Sequence, residues 1–180
     1  MDPVWKRNAP KAGSFGGASK THGRISPPAH GGDSGEIRDS SEPLPMQRGY
    51  PLGFCDRQQF EECMQDLCNT AHACGIPCDT VGMRGSAVTF WSKSPHKKGH
   101  FFDQTGWKKS DLDAFIVSRA LKQGANAVGF VHPNWIENSY PELEDWSVKW
   151  SRLLDRDISV AGFVAGARAL QGDRMLYRCS

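Results

Sequence analysis

"KKSDLDAFIV", residues 108–117, decides how the chain is read. Two aspartates, Asp111 and Asp113, straddle Leu112 and open an apolar run that ends at Val117. The run favours a pleated surface, so residues 111–117 are expected to form a strand. Successive side chains alternate faces. Asp111 and Asp113 then point one way, with Cα atoms about 6–7 Å apart, while Leu112 and Ala114 face the core. Two carboxylates so placed repel each other. A hard divalent cation between them reverses the sign, because Mg²⁺ takes carboxylate oxygens together with water and substrate phosphates. The plain alternative is a solvated strand start, since Asp-x-Asp on its own is common.

Upstream, Phe60, Cys63, Met64, Leu67, Cys68 and Ala71 recur at three and four, the buried stripe of an amphipathic helix. That helix is expected over residues 57–74 and stops at Gly75 and Pro77. Residues 80–85 are a short strand candidate, and Ala87 to Trp91 has β-rich composition. Residues 92–110 form a long loop broken by Pro95, Gly99 and Gly106. Downstream, residues 119–123 suit a short helix and residues 127–132 a strand before Pro133. "YPELEDWSVKWSRLLDR", residues 140–156, is a second long helix with Pro141 in its first turn, acids early and Arg152 and Arg156 late. Leu143, Trp146, Trp150, Leu153 and Leu154 are expected on its buried face. Residues 158–164 are strand-like, headed by Asp157. Helices and short strands in this order predict an α+β domain, a small mixed β-sheet with flanking helices.

The whole chain has 180 residues, 38% of them apolar, and a formal net charge of +2. Residues 1–50 hold eight of the 19 glycines and six of the 11 prolines, and are expected to be a disordered tail or linker ahead of a domain spanning 51–180. No segment approaches the ~18 apolar residues of a membrane span, so a soluble, cytoplasmic protein with no membrane partner is expected. The tail carries seven Lys/Arg against five Asp/Glu, which leaves residues 51–180 with fifteen of each. A neutral domain is not a nonspecific nucleic-acid coat, whose affinity comes from surplus cations. One stretch departs from that balance. Residues 84–109 carry six Lys/Arg, His96, His100 and a single acid, Asp103.

Four of the six cysteines, Cys63, Cys68, Cys74 and Cys78, fall within sixteen residues. Their spacing suits zinc poorly, because structural sites pair ligands two to four residues apart, twice over. Core packing as small hydrophobes is the first reading, zinc the second and disulfides the third.

Gly85-Ser86, then Asp111-x-Asp113 after a basic loop, then a strand headed by Asp157 in "RDISVAGF", resembles the nucleotidyltransferase superfamily with the DNA polymerase β-like fold. The resemblance covers about residues 80–163. The pattern looks most like the nucleotidyltransferase-like domains at the C-termini of bacterial polymorphic toxins. It implies that Gly85 and Ser86 form a turn holding nucleotide phosphates, that Asp111 and Asp113 hold Mg²⁺ or Mn²⁺, and that Asp157 is the third acid. Asp155 and Asp145 lie close to Asp157 in sequence. Arg84 has the fork that suits a phosphate, or it pairs with a surface acid. The 26-residue step from Gly85 to Asp111 exceeds the family's usual gap, which makes the basic loop an insertion. The implied substrate is an NTP, and the acceptor a hydroxyl on RNA such as a tRNA end, on protein or on a small molecule. A toxin of this kind acts in a recipient cell's cytoplasm and has an immunity protein as partner. "YPLGF", residues 50–54, is similar to the Pro-Leu-Gly step that ends some toxin carriers. Competing readings are a non-catalytic binding module, a family member that has lost transfer, and an Asp-x-Asp glycosyltransferase. In the last the apolar strand usually precedes the motif instead of following it.

Overall fold

Asp56 starts the first long helix. The structure, a computed structural model, describes residues 45–92, 100–104 and 109–180, all within the unit Asp39–Ser180. In it a helical turn, α1 (Pro45–Arg48), precedes Asp56, whose extended backbone lets its side chain accept from the Gln59 N–H at 2.7 Å and cap α2 (Arg57–Ala73). All six stripe residues named from the sequence are buried. Gly75, with φ 73°, closes the helix: its N–H donates to the His72 carbonyl, and the Ile76 N–H donates to that of Ala71.

Five strands follow: β1 (Thr80–Arg84), β2 (Leu112–Val117), β3 (Phe130–Val131), β4 (Ile158–Phe163) and β5 (Arg174–Arg178). Their order in the sheet is β3-β4-β2-β1-β5. β2 and β4 run parallel, and the other three pairs are antiparallel. Parallel neighbours need a crossover, which here includes α4 (Pro133–Ser139) and α5 (Pro141–Leu154). The domain is therefore α+β with a small mixed sheet and helices beside it.

The two sheet faces differ. Val81 and Met83 on β1, Leu112, Ala114 and Ile116 on β2, and Ile158 and Val160 on β4 are buried with the stripes of α2 and α5 in the main core. Asp66 ties the two helices, accepting from Lys149 Nζ at 2.8 Å and Trp150 Nε1 at 2.7 Å. On the opposite face a smaller cluster, Phe115, Ala161 and Phe163, is covered by Val117, Phe130, Ala167, Ala169 and Leu170. No helix among the described residues is long and apolar enough to cross a membrane.

Several expectations need correction. Residues 87–91 are not a strand: a helical turn, α3 (Ser86–Thr89), takes most of them. Gly85 turns the chain at φ 81°, its carbonyl accepts from the Val88 and Thr89 N–H groups, and burial of Ala87 and Val88 overrides β propensity. The strand expected over 127–132 shrinks to two residues, because the Asn126 side chain accepts from the Val128 and Phe130 N–H groups and folds the segment into a turn. On α5, Leu143, Trp146, Trp150 and Leu154 are buried, but Leu153 is 59% exposed and Ser147 faces inward instead. Of the stretch expected as a tail, residues up to 44 lie outside the described residues, and Pro45–Arg48 is α1. In "YPLGF", Leu52 and Phe54 belong to the core.

Candidate functional site

Gly85 ends β1 and Asp113 is the second residue of β2, and the two meet. A β-carbon on Gly85 would lie 2.5 Å from Asp113 Oδ2, so only glycine lets this carboxylate lie against the turn. The next residue, Ser86, is half-buried at the first position of α3. Arg84 is the antiparallel Cα partner of Asp113, and Asp113 is in turn paired with Ser159 on β4. On its other side Arg84 is paired with Arg174 on β5. Cross-strand partners share a face. A lateral row therefore crosses four strands: Arg174, Arg84, Asp113, Ser159.

Asp111 and Asp157 each stand one residue before a strand, and both are exposed. Leu112 and Ile158 are partners, and the Leu112 N–H donates to the Asp157 carbonyl at 2.8 Å. This register sets Asp111 and Asp157 side by side at the heads of parallel strands, with backbones about 5 Å apart. Alternation puts both on the face of Asp113 and Ser159, opposite the buried Leu112 and Ile158. The backbone thus brings the three predicted carboxylates to one corner of the sheet, beside Gly85 and Arg84.

Sequence reading missed what holds that corner. Asp103, the acid singled out only by its isolation in a basic stretch, forms a two-pronged pair with Arg156: Nη1 to Oδ1 at 3.1 Å and Nη2 to Oδ2 at 2.9 Å. The Arg156 side chain is 10% exposed and that of Asp103 28%. Asp103 also accepts from the Ser110 N–H, and its own N–H donates to Ser110 Oγ. Arg156 donates to the Ser110 carbonyl and lies 5.0 Å from the Phe102 ring centroid. The residue before Asp111 is therefore fixed by a clamp from the end of α5. Lys109 pairs with Asp155 on the surface, and its hydrogen bond holds the Asp155 carboxyl below its ordinary range. Asp155 is thus engaged with Lys109, and both line a surface pocket with Asp157. Lys97, Lys98 and Lys108 of the basic stretch lie outside the described residues.

Next to the corner, on the sheet face left bare by the helices, is a cavity of about 130 Å³. Arg84, Gly85, Thr89, Phe115, Gly172 and Arg174 are among its lining residues. Arg84 also crosses toward Phe163, its guanidinium carbon 5.4 Å from the ring centroid.

A hard divalent cation asks for oxygen donors. By type and by face Asp111, Asp113 and Asp157 fit that demand, and the bare Gly85 leaves room against Asp113. Among the described residues, no three His, Cys, Asp or Glu side chains are gathered tightly enough to hold a metal ion.

Three of the cysteines are buried in the core, as expected, and one of these forms a disulfide, the third reading of the sequence. Cys63, Cys68 and Cys78 are buried, and Cys68 forms a disulfide with Cys179 across Cα atoms 5.7 Å apart, tying α2 to the residue after β5. The Cys78 sulfur lies 3.8 Å from that of Cys179. Burial pushes the Cys74 and Cys78 thiols up to about 11.

None of the protein-family models, curated proteins or solved structures compared with the chain matches it.

Proposed function

We propose that this domain transfers a nucleotidyl group from an NTP to a hydroxyl acceptor. The observation that carries the reading is the single corner where Gly85 abuts Asp113 and the paired strand heads bring Asp111 and Asp157 alongside. Asp111, Asp113 and Asp157 would hold Mg²⁺ or Mn²⁺, which supplies charge neutralisation on the transferring phosphate and activation of the acceptor hydroxyl. The chain's own groups position the substrate. The Ser86 hydroxyl and the backbone N–H groups of the Gly85-Ser86 turn donate to phosphate oxygens, as successive N–H groups in a turn do elsewhere. The Arg84 guanidinium, always charged and fork-shaped, offsets negative charge arriving beside Asp113. The Asp103–Arg156 clamp keeps Asp111 at the strand head.

The test is incubation of the protein with each labelled NTP, Mg²⁺ and a whole-cell extract, followed by identification of the labelled fraction. Label is expected in RNA or protein, and Asp111→Ala or Asp113→Ala abolishes it. Full Mg²⁺-dependent incorporation by both variants sinks the proposal. Resemblance extends the reading to a toxin that acts in a recipient's cytoplasm and is checked by an immunity protein. Inducible expression in a bacterial host tests that extension: growth arrest relieved by Asp111→Ala supports it, and normal growth at high soluble expression counts against it.

A further inference from the structure

We propose that Arg174 and Arg84 together form an anion subsite that takes a polyphosphate group in the cavity beside the carboxylate corner. The two arginines are Cα partners across β1 and β5 and occupy one sheet face. Like charges directly opposite on neighbouring strands are destabilising. Here they are not offset by pairing, for neither guanidinium makes an ion pair among the described residues. Arg174 donates from Nη1 to the Gly172 carbonyl at 2.8 Å, while its Nε is buried with no hydrogen-bond partner. A buried donor left unsatisfied is costly, so a ligand oxygen that satisfies it is favoured. Arg84 makes its contact with the Phe163 ring.

Both arginines line the cavity of about 130 Å³, far more than the ~10–15 Å³ that admits one water. Gly85 presents bare backbone there, and Phe115 supplies an apolar wall. One acid, Asp173, also lines the cavity. Two forked cations on adjacent strands, about 5 Å apart, match successive phosphoryl groups better than a single carboxylate, which one fork satisfies. Assignment of the anion to the leaving phosphates of an NTP rests on the transfer reading. The subsite itself does not.

Calorimetric titration of the full chain with inorganic pyrophosphate, and separately with ATP and with adenosine, tests the inference. Pyrophosphate and ATP are expected to bind and adenosine not to. Arg174→Ala weakens pyrophosphate binding at least tenfold, and Arg174→Lys, which keeps the charge but loses the fork, recovers part of it. Arg178→Ala, on the same face of β5 but outside the cavity, leaves binding unchanged. Arg174→Gln keeps the side chain's reach if the alanine variant does not fold. An undiminished affinity in Arg174→Ala or Arg174→Gln, an equal loss in Arg178→Ala, or no pyrophosphate binding by the intact chain at millimolar concentration overturns the subsite. Arg174-dependent pyrophosphate binding with no transfer from any NTP leaves the subsite standing and removes the transfer reading. Asp111-dependent transfer with Arg174-independent binding does the reverse.

Discussion

Gly85 and the Asp113 carboxylate occupy the same space to within the width of one methyl group, the Oδ2 atom standing 2.5 Å from where a β-carbon would be. Two short motifs 26 residues apart in the chain, Gly-Ser and Asp-x-Asp, are thereby one local structure. Gly85→Ala carries two penalties, the left-handed φ of 81° and the clash. Gly166 has the same φ of 81° with nothing near its β position, so Gly166→Ala reports a left-handed φ without a clash. Strain of that kind costs about 1–3 kcal/mol. Chemical denaturation is expected to show both variants destabilised, Gly85→Ala more so, and only Gly85→Ala should lose nucleotide transfer. Equal losses of stability would mean that Asp113 moves aside without cost.

The clamp on the strand head gives a second prediction. Arg156→Lys keeps a charge but cannot reproduce the two-pronged bond to Asp103 together with the bond to the Ser110 carbonyl. Hydrogen bonds to charged groups contribute about 1.5–3 kcal/mol, and a loss in the lower part of that range is expected for a pair still touched by water. Because the clamp acts on Ser110, transfer should fall further than the stability loss explains under conditions where the protein stays folded. Denaturation curves and turnover measured on the same preparation check this. A variant with lowered stability and unchanged turnover would confine the clamp to folding.

Local patterns showed in the sequence, and long-range partners did not. The stripe of α2, the strand from Leu112, the helix after Pro141 and the strand after Asp157 all have a periodicity that one window of residues displays. β5 lies past the last stretch that periodicity marked, and its alternation is broken by three charged or polar ends, Arg174, Tyr177 and Arg178. It becomes a strand because β1 offers a free edge. Arg174 could therefore not be connected to Arg84, which precedes it by ninety residues. α4 escapes the sequence reading, which places Pro133 only after a strand, although this proline stands at the helix start, where a missing N–H costs nothing. Asp103 looked like a stray acid for the same reason, since its partner is Arg156 at the far end of α5.

The disulfide supplies a third prediction. Cys68 and Cys179 are 111 residues apart, and closing a loop of about 100 residues is worth up to ~4.7 kcal/mol in the chain-entropy account, with 2–5 typical on removal. Cys179→Ser should lower the unfolding free energy by about that range. Cys68→Ser should cost less under oxidising conditions, because Cys78, 3.8 Å from the Cys179 sulfur, is placed to form the replacement bond. Non-reducing peptide mapping of Cys68→Ser is expected to recover a Cys78–Cys179 crosslink. A free Cys179 in that variant, with both variants equally destabilised, would refute the substitution.

Thiol titration gives a fourth. Burial raises the Cys78 thiol to about 11, so the folded protein resists its ionisation relative to the ordinary value of 9.0. The folded state holds its proton where the unfolded state has lost it. This contribution to stability is complete below pH 9 and declines as pH rises from about 9 to about 11. Cys74, raised to about 11 by burial and then by the neighbouring Glu142, adds in the same direction. Denaturation midpoints measured across that alkaline window should fall, and Cys78→Ala should flatten part of the slope. In native protein at neutral pH, the exposed Cys55 should be alkylated well before Cys63 or Cys78.

The last prediction separates α1 from the segment before it. Residues 1–44 are rich in glycine, proline and serine, a composition expected to add no stability against ordering costs of about 1–2 kcal/mol per residue. A chain beginning at Pro45 should therefore unfold at the same temperature as the whole. A chain beginning at Pro51 should not. It loses α1, whose Pro45 is buried and which packs against α3, and it loses the contact of Arg48 with the Tyr50 ring, 4.2 Å from guanidinium to centroid. What remains to hold α3 from that side is the Leu52 N–H, which donates to the Ala87 carbonyl at 2.8 Å. Loss of about 1–2 kcal/mol lowers the midpoint of a domain this size by roughly 3–8 °C. Since α3 begins at Ser86, the shorter chain should also bind nucleotide more weakly at temperatures where it is fully folded. Calorimetric scans of the three chains, with nucleotide titration of each well below its midpoint, distinguish a stabilising turn from one that also sets the Gly-Ser corner. Identical midpoints for the chains beginning at Pro45 and Pro51 would show that α1 does neither.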